Sequence, residues 1–399
     1  MKLSRRYEAI PPSGTMAVVQ KAALLKRQGI DVVSFAAGEP DFDTPPAIVA
    51  AMAQAATSGE TRYPAVLGLP ALREAIAAKA TRRYGVPFTA ASAIVTPGAK
   101  FALWAAFQAL VDPGDEVLVP TPCWVSYGPQ IAMAQGVMVP VPCAPPDFEL
   151  DLEAFERAIT PRTVGLVLSL PMNPTGRLVA RETLAKLAAL ALRHDLWIVS
   201  DDLYADLCWG QHDGRVSGAA LFDAHPEVRD RVVIVDGPSK SHAMTGWRVG
   251  WALVPDALVA PFSLLLGQIA TGVTTFAQHG ALQALTGDHA FLDAWNDAYR
   301  RRAHLVVDGL QALGLPTALP EGAFYALADV RSLIHPTAAH PTLADDVAIA
   351  TQWLDHAHVA VVPGSAFHAP GFVRLSFACS EARIAEGLAR LRHLIGNPP

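Results

Sequence analysis

Residues 237–250 read G-P-S-K-S-H-A-M-T-G-W-R-V-G, and they carry one lysine, Lys240, and one arginine, Arg248. The neighbours of Lys240 are Pro, Ser and Ala-sized residues, so backbone crowds it more than long side chains do. In a partly dry pocket such an amine gives up its proton more easily than a surface lysine. A neutral amine attacks carbonyls, which lets the lysine hold an aldehyde as a Schiff base. Arg248 offers a fixed fork of N–H donors that suits a phosphate. The competing reading is a turn flanked by two surface cations.

Working outward, apolar runs alternate with amphipathic ones. Strands are expected at Ala91–Thr96, Glu116–Pro120, Thr163–Ser169, Leu196–Ser200, Arg231–Val235 and Val249–Val254. Helices are expected at Lys100–Val111, closed by the D-P-G-D that follows, and at Arg181–His194. The second places Leu184, Leu187, Ala188 and Ala191 on one face. Continuous apolar strands separated by helices imply a mostly parallel sheet covered on both faces. The pattern changes after about residue 290. A long helix, Ala290–Leu313, leads to G-A-F-Y-A-L-A-D-V, A-V-V-P-G and F-V-R-L-S-F, which suggests a smaller α+β domain. The N-terminal stretch holds a helix, Thr15–Gln28, and a short V-V-S-F run, expected to pack with that domain.

Composition bounds the function. The chain has 399 residues, 51% hydrophobic and 17% charged, enough for a large core and too apolar for a disordered chain. A net charge of −6 gives no pull toward nucleic acid or an anionic membrane. No apolar run of about 18 residues is present, and the basic N-terminus runs into Pro11 and Pro12 without a signal-peptide core. The four cysteines, Cys123, Cys143, Cys208 and Cys379, form no C-x-x-C pair, which fits a reducing cytoplasm. Thirteen histidines form no H-E-x-x-H, and the His356/His358 pair reads as solvated surface, so no metal site is expected.

Ligands of open α/β sheets bind at the carboxyl ends of strands, and several candidates fall there. T-P-G-A-K offers the backbone N–H groups of Gly98, Ala99 and Lys100 at a helix start, as an anion cradle or a plain turn. Asp201, in S-D-D-L-Y, suits a cationic ring nitrogen or a helix N-cap. Tyr204, three residues on, offers a phenol. Asn173, in P-M-N-P-T-G, reaches a ligand or makes an Asx turn. Trp124, in P-C-W-V-S-Y, is a stacking platform or ordinary core. A lysine for a Schiff base, an aspartate for a pyridinium nitrogen, an arginine for phosphate and an aromatic for a ring face are the parts pyridoxal 5'-phosphate requires.

Together these motifs resemble the class I aminotransferases among the fold type I pyridoxal-phosphate enzymes, the family of aspartate aminotransferase. The resemblance runs from A-G-E-P-D-F-D-T-P at Ala37 through Y-P-A-V-L-G-L-P at Tyr63, P-G-D-E at Pro113, N-P-T-G at Asn173 and S-D-D-L-Y at Ser200. It continues through the lysine motif to G-A-F-Y and V-R-L-S-F, in order over nearly the whole chain. It implies an α/β fold type I transferase with an N-terminal segment (1–45) packing on the small domain. A large cofactor domain (46–290) and a small C-terminal domain (291–399) follow. It implies that Lys240 holds the cofactor and moves the α-proton, and that Asp201 keeps the ring nitrogen protonated. Asn173 and Tyr204 would bond the ring hydroxyl, Trp124 would stack on the ring, and Gly98, Ala99, Lys100 and Arg248 would bind phosphate. Tyr63 would reach the phosphate of a second subunit, so a homodimer is implied. Arg374, with Gly38 and Asn173, would hold the substrate α-carboxylate. Three departures stand out: Asp202 where glutamate is frequent, Gly237 where some members use a phosphate-binding serine, and Pro238 beside it.

The function so implied is transfer of an amino group from an L-amino acid to a 2-oxo acid such as 2-oxoglutarate. Aspartate is the favoured donor, on Lys100 as a cation for a distal carboxylate and Thr15 as a hydroxyl above it. Aromatic or neutral donors follow if Phe35, Phe276 and Trp104 line the pocket instead. The alternative is a lyase or specialised biosynthetic enzyme on the same scaffold. A ligand-sensing transcription factor is disfavoured, since only about 35 residues precede the first family motif and no basic stripe is present.

Overall fold

The computed structural model describes residues 10, 14–210, 217–335 and 343–396. The strands in chain order are β1 (Val33–Ser34), β2 (Ala93–Thr96), β3 (Glu116–Thr121), β4 (Val137–Pro142), β5 (Thr163–Ser169) and β6 (Trp197–Asp201). They continue with β7 (Val232–Asp236), β8 (Gly250–Leu253), β9 (Tyr325–Asp329), β10 (Val359–Ala360), β11 (Val362–Pro363) and β12 (Phe372–Ser376). A seven-stranded sheet has the order β2-β8-β7-β6-β5-β3-β4. From β7 to β4 the pairing is parallel, and β8 runs antiparallel to both neighbours.

Period-two alternation divides this sheet between two cores. Leu166, Leu168, Ile198, Val232, Ile234, Trp251 and Leu253 face one side. Val167, Val199, Val233, Val235 and Ala252 face the other. Helices Pro70–Tyr84 and Arg181–Arg193 cover the first face with Leu72, Ile76, Leu184 and Leu187. Helices Ala99–Leu110 and Asp256–Ile269 cover the second with Leu103, Phe107, Phe262 and Leu266. A strand buried on both faces needs apolar residues at every position, which explains the unbroken runs in the sequence.

The expected helices at Lys100, Arg181 and Ala290 are present at Ala99–Leu110, Arg181–Arg193 and Ala290–Gln311. Strand β4 escaped the sequence reading. It lies at the sheet edge with exposed residues and contains Pro140 and Pro142. Proline cannot donate to a ladder, so its presence argues against a central strand and is tolerated at an edge.

A second sheet has the order β11-β12-β9, all antiparallel. Tyr299, Val306 and Leu310 of the long helix pack with Ile384, Leu388 and Leu391 of helix Glu381–Gly396 beside it. Strand β1 pairs parallel with β10. Helix Gly14–Arg27 buries Ala22 among Ala36, Leu354, Val362 and Phe367.

Candidate active site

The sheet's strand ends and the second sheet together frame a cavity of ≈ 280 Å³. Its walls include Gly38, Ala99, Lys100, Trp124, Asn173, Asp201, Tyr204, Lys240, Arg248 and Arg374. These ten residues, some 336 positions apart at the extremes, line one space, while Tyr63 and Gly98 are not among its lining residues.

Lys240 follows β7 and is half-buried, its open side facing the cavity. Its Nζ donates to the Gly38 carbonyl at 2.7 Å. Burial lowers its pKa to about 8; Glu39 opposes this, while Arg248 and Arg374 add to it. The Gly38 segment is itself clamped. Asp41 pairs with Arg302 at 2.7 Å, and Phe42 stacks on Trp295 at 4.4 Å.

Asp201 ends β6 and is buried. Its Oδ2 accepts from Tyr127 Oη at 2.8 Å, and its Oδ1 from Leu203 N at 3.4 Å. Burial pushes its pKa up to about 7 against these bonds. A turn and not a helix follows it, so the N-cap reading does not hold. Asp202, the departure beside it, is fully buried and accepts from Tyr84 Oη at 2.6 Å and from the Ser200 hydroxyl.

Arg374 is on β12 and only 4% exposed. Its Nη1 donates to Asn173 Oδ1 and its Nη2 to Ala36 O, both at 3.3 Å. Asn173 thus spends its carbonyl on the arginine and makes no Asx turn with it. Burial lowers the Arg374 pKa. Its Nε is buried with no partner among the described residues. Such a donor is costly to bury alone.

At the opposite end, Gly98 precedes helix Ala99–Leu110 with φ 87°. A Cβ there would lie 2.6 Å from Arg248 Nη2, so only glycine lets the arginine close on the helix start. Arg248 is exposed and donates to the Thr245 carbonyl at 2.8 Å. The Gly98 N–H is taken by the Thr96 carbonyl at 2.6 Å, so the expected contribution of that N–H is not available. The Ala99 and Lys100 N–H groups at the helix start lack intrahelical acceptors and with Arg248 can cradle an anion. Gly237 sits against Gly250: a Cβ would be 3.1 Å from the Gly250 Cα and 3.3 Å from the Val249 carbonyl, which disfavours serine there.

Lys100 Nζ lies over the Trp124 ring at 4.9 Å. Burial, then Arg248, lower its pKa. Lys100 lines both the cavity and an adjoining groove with Phe101, Trp104 and Arg248. Within one chain the residues of the alternative apolar pocket lie apart. Phe35 is buried in the small-domain core, Trp104 is in that outer groove, and Phe276 lies beside Tyr63. Tyr63 is outside the cavity and 88% exposed. The Thr15 side chain lies outside the described residues; from the same helix Val19 reaches the cavity.

Sequence reasoning missed Tyr127, Tyr325, Ser169 and Ser239. Tyr127 stands three residues after Trp124 in the quoted P-C-W-V-S-Y, one helical turn away, and Tyr325 closes the quoted G-A-F-Y. Among the described residues no metal-binding cluster occurs and no helix is long and apolar enough to cross a membrane.

Comparison with known proteins finds relatives over nearly the whole chain. The family described as aminotransferase class I and II matches residues 30–391. The aspartate/prephenate aminotransferase of Thermus thermophilus is 44% identical, over 99% of each chain. The aspartate aminotransferase of Geobacillus stearothermophilus is 38% identical, again over 99% of each. Among solved structures, the aspartate aminotransferase of Thermus thermophilus with maleate superposes with a TM-score of 0.91 at 43% identity, covering 99% of this chain and 100% of that one. The enzyme from Rhizobium meliloti does so at 0.93 and 35%, with 99% of each covered. These relatives favour transamination over the lyase alternative. The chain belongs to the class I and II aminotransferases and is a fold type I aminotransferase.

Proposed function

We propose that this aminotransferase holds pyridoxal 5'-phosphate on Lys240 and moves the amino group of an L-amino acid, aspartate foremost, to a 2-oxo acid. The observation that carries the proposal is the convergence of Lys240, the buried carboxylate of Asp201, and two arginines on one cavity. The residues fit the cofactor. A buried carboxylate with a raised pKa calls for a cationic partner such as a ring nitrogen. The Gly98–Arg248 cradle suits its phosphate, with Ala99 and Lys100 contributing N–H groups. Trp124 would cover the ring, and Asn173 and Tyr204 would bond its hydroxyl.

When bound, the cofactor supplies an aldehyde carbon for the amine and an electron sink for charge leaving the substrate Cα. The protein does the rest. Arg374, braced by Asn173 and the Ala36 carbonyl, grips the α-carboxylate with Gly38 alongside and so fixes the Cα. Lys240 Nζ, with its lowered pKa, would take the proton from the substrate Cα. Asp201 would keep a ring nitrogen protonated through its charge, and Tyr127 holds that carboxylate in place.

Lys100 marks the place for a distal carboxylate, which supports aspartate as donor and 2-oxoglutarate as acceptor. The relatives' names add prephenate, which carries the same 2-oxo acid group. We also propose the division into residues 1–45, 46–290 and 291–399, a homodimer that brings Tyr63 to the second subunit's phosphate, and a cytoplasmic setting. Borohydride treatment followed by peptide mapping tests the central claim. The reduced cofactor should be found on Lys240. Lys240→Ala should still bind the cofactor and lose about a thousandfold or more in kcat, of the order expected for a lost acid–base group. Normal turnover in that variant would refute the assignment.

A further inference from the structure

Three buried side chains join the carboxylate end of the cavity to its ring end. The Tyr325 ring lies 4.2 Å from the Arg374 guanidinium carbon. The Tyr325 hydroxyl is 2.8 Å from that of Tyr204. Strand pairing sets this arrangement. Tyr325 pairs with Ser376 and Leu327 with Arg374, so Tyr325 is a same-face diagonal neighbour of the arginine. Tyr204 reaches the pair from the turn after β6 and packs edge-on to both Phe324 and Tyr325.

Each phenol has one hydrogen, so within a bonded pair one donates and the other is free to point its hydrogen elsewhere. Which one donates decides what the cavity sees. The Arg374 charge over the Tyr325 ring stabilises negative charge on that phenol and makes it the better donor. Burial pushes the pKa of Tyr325 up and Arg374 draws it back. Burial pushes Tyr204 well up, and Tyr325 pushes it further.

We infer that Tyr325 is a positioning residue that donates its hydrogen to Tyr204 and so aims the Tyr204 hydrogen into the cavity, toward the cofactor's ring oxygen. The inference rests on the proposed cofactor. It couples the two ends of the site. A carboxylate arriving at Arg374 offsets the charge above Tyr325, weakens its donation, and weakens in turn the bond that Tyr204 makes. The opposite arrangement, Tyr204 donating to Tyr325, would aim the Tyr325 hydrogen past Gly38, whose Cβ position lies 3.1 Å from that oxygen.

The test is a pH titration of the visible absorption of the holoenzyme. Donors to the ring oxygen stabilise it once the adjacent nitrogen loses its proton, so they lower the midpoint. Tyr204→Phe should raise the midpoint by about 1–2 pH units, the size of a hydrogen bond to a charged group. Tyr325→Phe should raise it by about 0.3 unit, the cooperative share of that bond. The double variant should match Tyr204→Phe alone. The charged groups around Lys240 Nζ are Glu39, Arg248, Arg374 and Asp201, and all are retained in these variants. As a second probe that preserves packing, 3-fluorotyrosine at position 325 is a stronger donor and should lower the midpoint. A fall in Tyr325→Phe, no shift, or the same shift with Tyr204 already removed would overturn the inference while leaving the cofactor reading intact. A parent enzyme with no visible band would overturn both.

Discussion

Replacing Asp201 by asparagine should make the cofactor-free protein more stable at alkaline pH while weakening its hold on the cofactor. The magnitude follows from burial. Asp201 is pushed up to about 7 in the fold, against 3.8 for an ordinary aspartate. Between those values the folded state binds more protons than the unfolded one, so stability falls as pH rises. Below pH 3.8 the carboxyl is neutral in both states and costs nothing. At pH 5 about 1.2 units of the difference are in force, and at pH 8.5 nearly all of about 3.2. The change between these two pH values is about 2 units, or about 3 kcal/mol as a ceiling. Solvent relaxation around the site makes about 2 kcal/mol a fair expectation. The amide also weakens the bond from Tyr127, but that offset is present at both pH values and cancels. The assay is urea unfolding of parent and variant, both cofactor-free, at pH 5 and 8.5. The stability of the variant relative to the parent should rise by about 2 kcal/mol from the lower to the higher pH. A difference that does not change with pH, or that falls, would refute the claim that Asp201 is a carboxylate held for a cation.

Lys100→Met should lower kcat/KM for aspartate by roughly five- to tenfold and leave phenylalanine nearly unchanged, because Lys100 is exposed and a solvent-screened ion pair is worth about 1 kcal/mol. Equal losses for both donors would assign Lys100 to the phosphate. Sedimentation should give twice the chain mass of 42.3 kDa. Tyr63→Phe should weaken cofactor binding by about tenfold, as for one charge-assisted hydrogen bond, read by fluorescence titration; a fully active monomer would refute the shared site.

The sheet was legible because its central strands are buried on both faces and write unbroken apolar runs. Thr163–Ser169 was placed to the residue, and β6 and β7 to within one. What failed was set by environment. Strand β4 is exposed and holds two prolines, so composition alone spoke against it. The order of strands was out of reach, since β2 pairs with β8 more than 150 residues away and no local pattern encodes that partner.

In the site, the legible residues are those whose chemistry is unusual for their position: a lysine among small residues, an aspartate ending an apolar strand, a glycine opening a helix. Tyr127 and Tyr325 were hidden because aromatics are common core residues and both are fully buried. Their roles come from pairings across the fold, Tyr127 with Asp201 74 positions away and Tyr325 with Tyr204 121 away. Burial also changes what each group does. It raises Asp201 and lowers Lys240, bringing them to about 7 and about 8 from opposite sides. Lys240 is thereby poised to take and return a proton near neutral pH, and Asp201 to pair with a cation. No residue type specifies that convergence; it comes from the dryness of the space that the two sheets enclose.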